Sequence, residues 1–209
     1  MKPIWIILAL LGLFALIFIL AAVGSYNGLA TSAQGIDQQW AQVQNVYQRR
    51  MDLIPNLVAT VSGSANFEKS TLIAVTDARA SVGRVTINAA SAPNDAATLQ
   101  QFEQAQGQLS NALSHLMVVA ENYPDLKSTQ GFLDLQAQLE GTENRIAFER
   151  DKFNQTVQDY NNRVVRFPTM IMARMGGFAV KPYFSAAPQA ATPPQVQFNF
   201  NNTATAPAQ

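Results

Sequence analysis

Residues Leu29–Val61, LATSAQGIDQQWAQVQNVYQRRMDLIPNLVATV, carry the reading that decides the fold. Leu29, Ala33, Ile36, Trp40, Val43, Tyr47, Arg50, Ile54, Leu57 and Val61 alternate spacings of four and three, the repeat of one face of an α-helix. Pro55 sits inside the stripe without a backbone donor, so a kink is expected there. Upstream, Ile4 to Val23 (IWIILALLGLFALIFILAAV) contains no charged or strongly polar side chain. Twenty helical residues at about 1.5 Å each cover about 30 Å, the hydrocarbon thickness of a bilayer. Ile4, Trp5, Leu8, Leu11, Phe14, Phe18 and Val23 are the expected lipid-facing anchor. Gly24 and Gly28 are the only helix breakers between span and seam, so the two are expected to continue as one rod.

A secretory signal peptide is the competing reading of the first residues, because Lys2 precedes the apolar run and small residues follow it. An apolar run longer than the usual ~15 residues favours a retained anchor. Lys2 and the amino terminus lie before the span, and the first cation after it is Arg49. Positive-inside counting therefore places the short amino end in the cytoplasm and the soluble domain on the far side of the membrane. The chain has no cysteine, which fits either side.

Downstream the seam recurs. Gly63 to Asn66 reads as a break with Asn66 as a cap, and a second helix is expected from about Phe67 to Asn88 with Leu72, Val75, Val82 and Val85 inward. Ala89 to Asn94 reads as a turn, and Asn94 or Asp95 can cap a third helix carrying Leu99, Phe102, Leu109, Leu113, Leu116 and Tyr123, ended by Pro124. A fourth, from about Ser128, carries Phe132, Leu135, Leu139, Thr142, Ile146, Phe153, Tyr160, Val164 and Phe167 before Pro168. Long amphipathic helices with short breaks predict an all-α fold: a transmembrane helix, an antiparallel four-helix bundle, then a largely irregular tail. The expected division is 1–25 anchor, 26–168 bundle, 169–185 apolar docking segment and 186–209 Pro/Ala/Gln-rich tail.

In the docking segment Met170, Ile171, Met172, Phe178, Tyr183 and Phe184 are positioned to pack on the bundle, lie at the membrane interface or serve a partner, and Gly176-Gly177 marks the bend. Phe198 and Phe200 alternate in a polar tail, either as a docking peptide or as stray aromatics of a linker.

Chemistry is sparse. His115 is the one histidine, which excludes His clusters and is expected at the core or its boundary. Glu140, Glu143 and Glu149 share one helix and are expected in solvent; the Glu-x-x-His di-iron pattern is not met. No catalytic, cofactor-binding or metal-binding residue is expected. Charged residues are 13% of the chain and the formal net charge is zero, so no basic stripe exists for nucleic acid, and little repulsion opposes self-association. Arg50 alone breaks the apolar seam. It either pairs with Glu143 in the interior, fixing helix register, or snorkels to solvent.

The strings QRRMDLIPNLVATV (Gln48–Val61) and YPDLKSTQGFLDLQAQLEGTENRIAFERDKFNQTVQDYNNRVVRFP (Tyr123–Pro168), some thirty residues and more after a single span, resemble the LemA family of bacterial membrane proteins. The resemblance covers about Tyr26 to Phe178. It implies an amino-terminal membrane helix, a long-helix bundle, and neither an established enzymatic activity nor an agreed cofactor. Asn66-Phe67 stands where a His-Glu pair is common in such relatives, and the tail after Tyr183 is expected to lie outside the shared region. The resulting expectation is a non-enzymatic, membrane-anchored scaffold of the bacterial envelope that contacts lipid and forms homo-oligomers. The alternative is an accessory subunit for a membrane protease, sensor or membrane-remodelling partner.

Overall fold

The structure, a computed structural model, describes residues 2–64, 67–86 and 89–185, and is helical with no strand among them. The apolar run and the seam form a single helix, α1 (Lys2–Ser62), about 90 Å long. It passes through Pro55 without interruption, so the expected kink does not break the helix. The side chains from Ile4 to Leu20 are exposed along its first third and pack on no other element among the described residues. From Leu29 onward the seam turns inward: every one of its positions is buried except the partly buried Ala33.

α2 (Lys69–Thr86) begins two residues later than the spacing predicts, and its expected cap Asn66 and expected end Asn88 lie outside the described residues. A 3₁₀ turn (Ala89–Asn94) leads to α3 (Ala96–Ala120), capped by Asp95, whose carboxylate accepts from the amides of Ala97 and Thr98. That satisfies two of the donors a helix start leaves open. α3 stops at Ala120, before Pro124, which instead opens the single turn α4 (Pro124–Lys127), where its missing N–H costs nothing. α5 (Gln130–Val165) is followed by α6 (Thr169–Met175).

α1 and α5 run antiparallel, since Gly28 faces Arg163, Gln39 bonds Glu149 and Arg50 bonds Glu143. α2 and α3 also pair antiparallel, with Phe67 against Tyr123 at 4.9 Å between ring centroids. Trp40 and Tyr47 both pack on Phe102, which brings α3 onto α1.

The interior is two apolar clusters. One, toward the span, gathers Leu29, Ile36, Trp40, Phe102, Phe153 and Tyr160 among others. The other, distal, gathers Ile54, Leu57, Val75, Leu109, Leu116, Phe132 and Leu139. Between them on α1 lies Arg50. Phe167, placed on the α5 seam by spacing, is instead 77% exposed, because α5 ends at Val165 and the chain turns away. His115 is exposed on α3, one residue off the buried Leu116.

Gly177, at φ +73°, turns the chain after α6, a left-handed conformation glycine adopts without cost. Its neighbour Gly176 lets two rings close in, since a Cβ there would lie 2.8 Å from Phe178 and 3.0 Å from Tyr26.

Candidate functional site: a polar layer in the core and a clamped strap

Four side chains from three helices meet where the two apolar clusters divide. Arg50 of α1 is 1% exposed. Its Nη1 donates to Glu143 Oε1 of α5 at 2.6 Å and to Ser110 Oγ of α3 at 2.8 Å. Its Nη2 donates to the side-chain oxygen of Gln106, also buried, and to the Gln106 carbonyl at 3.4 Å. The guanidinium lies over the Tyr47 ring, 5.1 Å from its centroid, and Nε has no partner among the described residues. Burial pushes the Tyr47 phenol up, partly opposed by the nearby cations Arg150 and Arg50. Glu143 reaches the same point from the surface, 43% exposed, so its carboxylate stays hydrated while it neutralises the buried cation. An open cleft of about 560 Å³ lies beside this layer, lined by Tyr47, Arg50, Glu103, Ser110, Glu143 and Arg150.

One layer nearer the span, Gln39 Nε2 donates to Glu149 Oε2 at 2.7 Å, and Arg145 pairs with the same carboxylate from the surface at 2.9 Å. Glu149 is therefore buried, not solvated. The signal was present in the sequence: Glu149 falls between Ile146 and Phe153 at three and four residues, a seam position. Gln106 follows Phe102 by four and is legible in the same way. Glu140 accepts from Gln136 and remains exposed.

The segment after α6 returns along α5 as an extended strap, clamped by its backbone. Asn161 accepts from the Lys181 amide and donates to the Lys181 carbonyl. Asn154 does the same for Phe184, at 2.9 and 3.1 Å. Seven helical residues separate the two asparagines, about 10.5 Å. Three extended residues separate the two clamped positions, about 10 Å. The repeats match, so each amide replaces the neighbouring strand that an extended residue otherwise needs. Tyr160 Oη donates to the Ala179 carbonyl, and burial raises that phenol. At the strap's end Glu103 accepts from the Ser185 amide and hydroxyl, while Arg150 donates to the Ser185 carbonyl and pairs with Glu103.

Phe184 is the strap's anchor, buried against Trp40 and Phe153 with centroids at 5.8 and 5.3 Å. Of the other expected docking residues, Met172 and Phe178 are half-buried against the core, Met170 is half-buried, and Ile171 and Tyr183 are exposed. Phe198 and Phe200 lie outside the described residues. Spacing analysis missed Asn154 and Asn161, although each directly follows an inward aromatic, Phe153 and Tyr160.

These features define an all-helical protein whose first helix is long and apolar enough to cross a membrane and continues unbroken into a core divided by a buried arginine. The chain belongs to the LemA family, whose sequence pattern matches residues 39–198. The match runs past Tyr183, so the shared region includes the strap and reaches Phe198, further than the two sequence strings indicate. Among relatives, magnetosome protein MamQ of Magnetospirillum gryphiswaldense MSR-1 is 27% identical over 91% of this chain and 76% of its own length. MamQ 2 of Paramagnetospirillum magneticum AMB-1 is 25% identical with the same coverage. Protein LemA of Metamycoplasma hominis is 22% identical over 76% of this chain and 68% of its own length.

Proposed function

We propose that this protein is a non-enzymatic, membrane-anchored scaffold of the bacterial envelope that associates with further copies of itself. The observation that carries the reading is the continuity of α1, which links a candidate span to the domain core without a flexible joint. A rigid link holds the domain at a fixed distance from the span, which is what a scaffold requires and what a freely tethered enzyme does not need. The four long helices form an antiparallel bundle as the unit of assembly. The single span lies in the inner membrane, with the domain outside, on the balance of Lys2 and the amino terminus against Arg49. Zero net charge favours contact between copies, because no long-range repulsion separates them.

The test is the absolute mass of the full-length protein in mild detergent, by light scattering after size exclusion, beside a chain ending at Ser185. That end point removes the tail and keeps the buried Phe184. A discrete homomeric particle supports the scaffold. A monomer, or a particle containing other chains, overturns it and favours the accessory-subunit reading.

A further inference from the structure

The corner of the domain beside the span is both apolar and basic. Because α5 runs antiparallel to α1 and the Arg163 guanidinium reaches Gly28, α5 ends at Val165 on the side of the domain nearest the span, with Arg166 as its cap and Phe167 next in the chain. The turn after α6 sits at the same height, because the Phe178 ring meets Tyr26 edge-on at 5.4 Å. Tyr26 itself is only three residues, about 4.5 Å, beyond Val23, the last residue of the apolar run. A bilayer of about 30 Å hydrocarbon and about 40–45 Å overall has roughly 5–8 Å of headgroup layer on each side. The corner lies within that layer whenever Ile4 to Val23 fill the hydrocarbon.

Its composition fits that place. Phe167 is 77% and Met175 78% exposed, and Val165 and Val180 are more than half exposed. Among the described residues these side chains present most of their surface to the outside. Residues 160–185 contain Arg163, Arg166, Arg174 and Lys181 and no Asp or Glu, in a chain whose net charge is zero. Lys181 lies 3.7 Å from Asp37, but the three arginines are exposed and make no ion pair among the described residues. Aromatic and thioether side chains beside unpaired guanidinium groups match the interface of an anionic bilayer, where rings and methyls enter the acyl boundary and arginines meet phosphates.

We infer that the corner formed by the end of α5, α6 and the Gly176-Gly177 turn is a second membrane contact that docks the domain onto anionic lipid headgroups. It fixes the tilt of the domain, which a single span leaves free. The inference rests on α1 crossing the bilayer and is independent of self-association.

The chain has no cysteine, so nitroxide labels can be placed one at a time in the full-length protein, one copy per lipid nanodisc. Labels at Phe14→Cys and Val118→Cys mark the hydrocarbon and the water, Val118 lying on α3 about 50 Å from the span. Met175→Cys and Phe167→Cys report the corner through accessibility to oxygen and to a water-soluble nickel chelate. In phosphatidylglycerol discs both corner labels are expected between the two markers. They move toward the Val118 value in phosphatidylcholine discs, and again in phosphatidylglycerol discs when Arg163, Arg166 and Arg174 are all replaced by Gln. Corner labels that match Val118 in phosphatidylglycerol overturn the contact. Corner labels at the same depth in both lipids overturn the anionic assignment. A Phe14 label that reads as water overturns the premise that α1 spans.

Discussion

Arg50 and Glu143 meet at 2.6 Å with the cation fully inside the domain and the carboxylate at the rim of a cleft. The asymmetry sets the cost of removing either partner. Glu143→Gln leaves a buried guanidinium with neutral acceptors only, and is expected to cost about 2–3 kcal/mol, less than a fully buried pair because water can enter the cleft. Arg50→Met removes the charge itself and costs about 1 kcal/mol, for the Gln106 amide left without its donor. The double variant should match Arg50→Met to within about 0.5 kcal/mol. Urea unfolding of the detergent-solubilised protein measures all three, and equal single-variant costs would refute the charge argument.

The layer also has a bearing on register. Tyr47, Phe102 and Ile146 flank it on the span side, and Ile54, Leu109 and Leu139 on the far side. A slip of one turn along α1 or α5 sets Arg50 or Glu143 against aliphatic or aromatic neighbours, an expensive exchange. A polar residue in an apolar seam specifies one register in this way.

The Asn154 and Asn161 clamps hold the strap by backbone alone. Each Asn→Ala change removes one accepting and one donating bond and is expected to cost about 1–2 kcal/mol. The two sites are about 10 Å apart, so their costs should add. Hydrogen exchange at the Lys181 and Phe184 amides is the direct readout: each single change should speed exchange at its own amide about tenfold, with amides in α2 and α3 unmoved. Uniform acceleration across the domain would mean the clamps serve global stability instead.

What was legible in the sequence was the helical seam. Its three-and-four spacing places nearly every buried residue of α1, and puts Arg50 and Glu149 on inward faces whether or not their chemistry suggests it. Composition misleads at Glu149, a carboxylate that lies inside, and at His115, whose apolar neighbours in sequence are not its neighbours in space. On a helix, Leu113 and Leu116 point one way and His115 another. The strap was beyond periodicity. An extended segment clamped by side-chain amides has no repeat of its own, and its signal lies on α5, in asparagines seven apart, rather than in residues 177–185.

Asp95 gives a pH-dependent prediction. Hydrogen bonds from the Thr98 hydroxyl and from the Thr98 and Ala97 amides hold its carboxyl below the ordinary value of 3.8. A depressed folded value means the stabilisation is complete above 3.8 and is lost as pH falls through the lower folded value. Asp95→Asn keeps an acceptor for the cap but no charge. The melting-temperature difference between the native chain and Asp95→Asn should therefore be constant from pH 7 to about pH 5 and shrink below pH 4. A difference that persists unchanged at pH 3 would contradict it.

Phe184 ties the strap to the folded core. It contacts Trp40 and Phe153 inside the span-side cluster, so a chain ending at Phe167 loses a core aromatic together with the strap that delivers it. Phe→Ala at such a site costs about 3–5 kcal/mol, which for a domain of this size lowers the melting temperature by about 10 °C. A chain ending at Ser185 should melt with the full-length protein, because every described strap contact lies at or before Ser185. Both Phe184→Ala and the end at Phe167 should change the emission of Trp40, which loses its stacked partner, while Trp5 on the apolar run is untouched. If the chain ending at Phe167 melts as the full-length protein does, Phe184 is dispensable and the domain ends at α5.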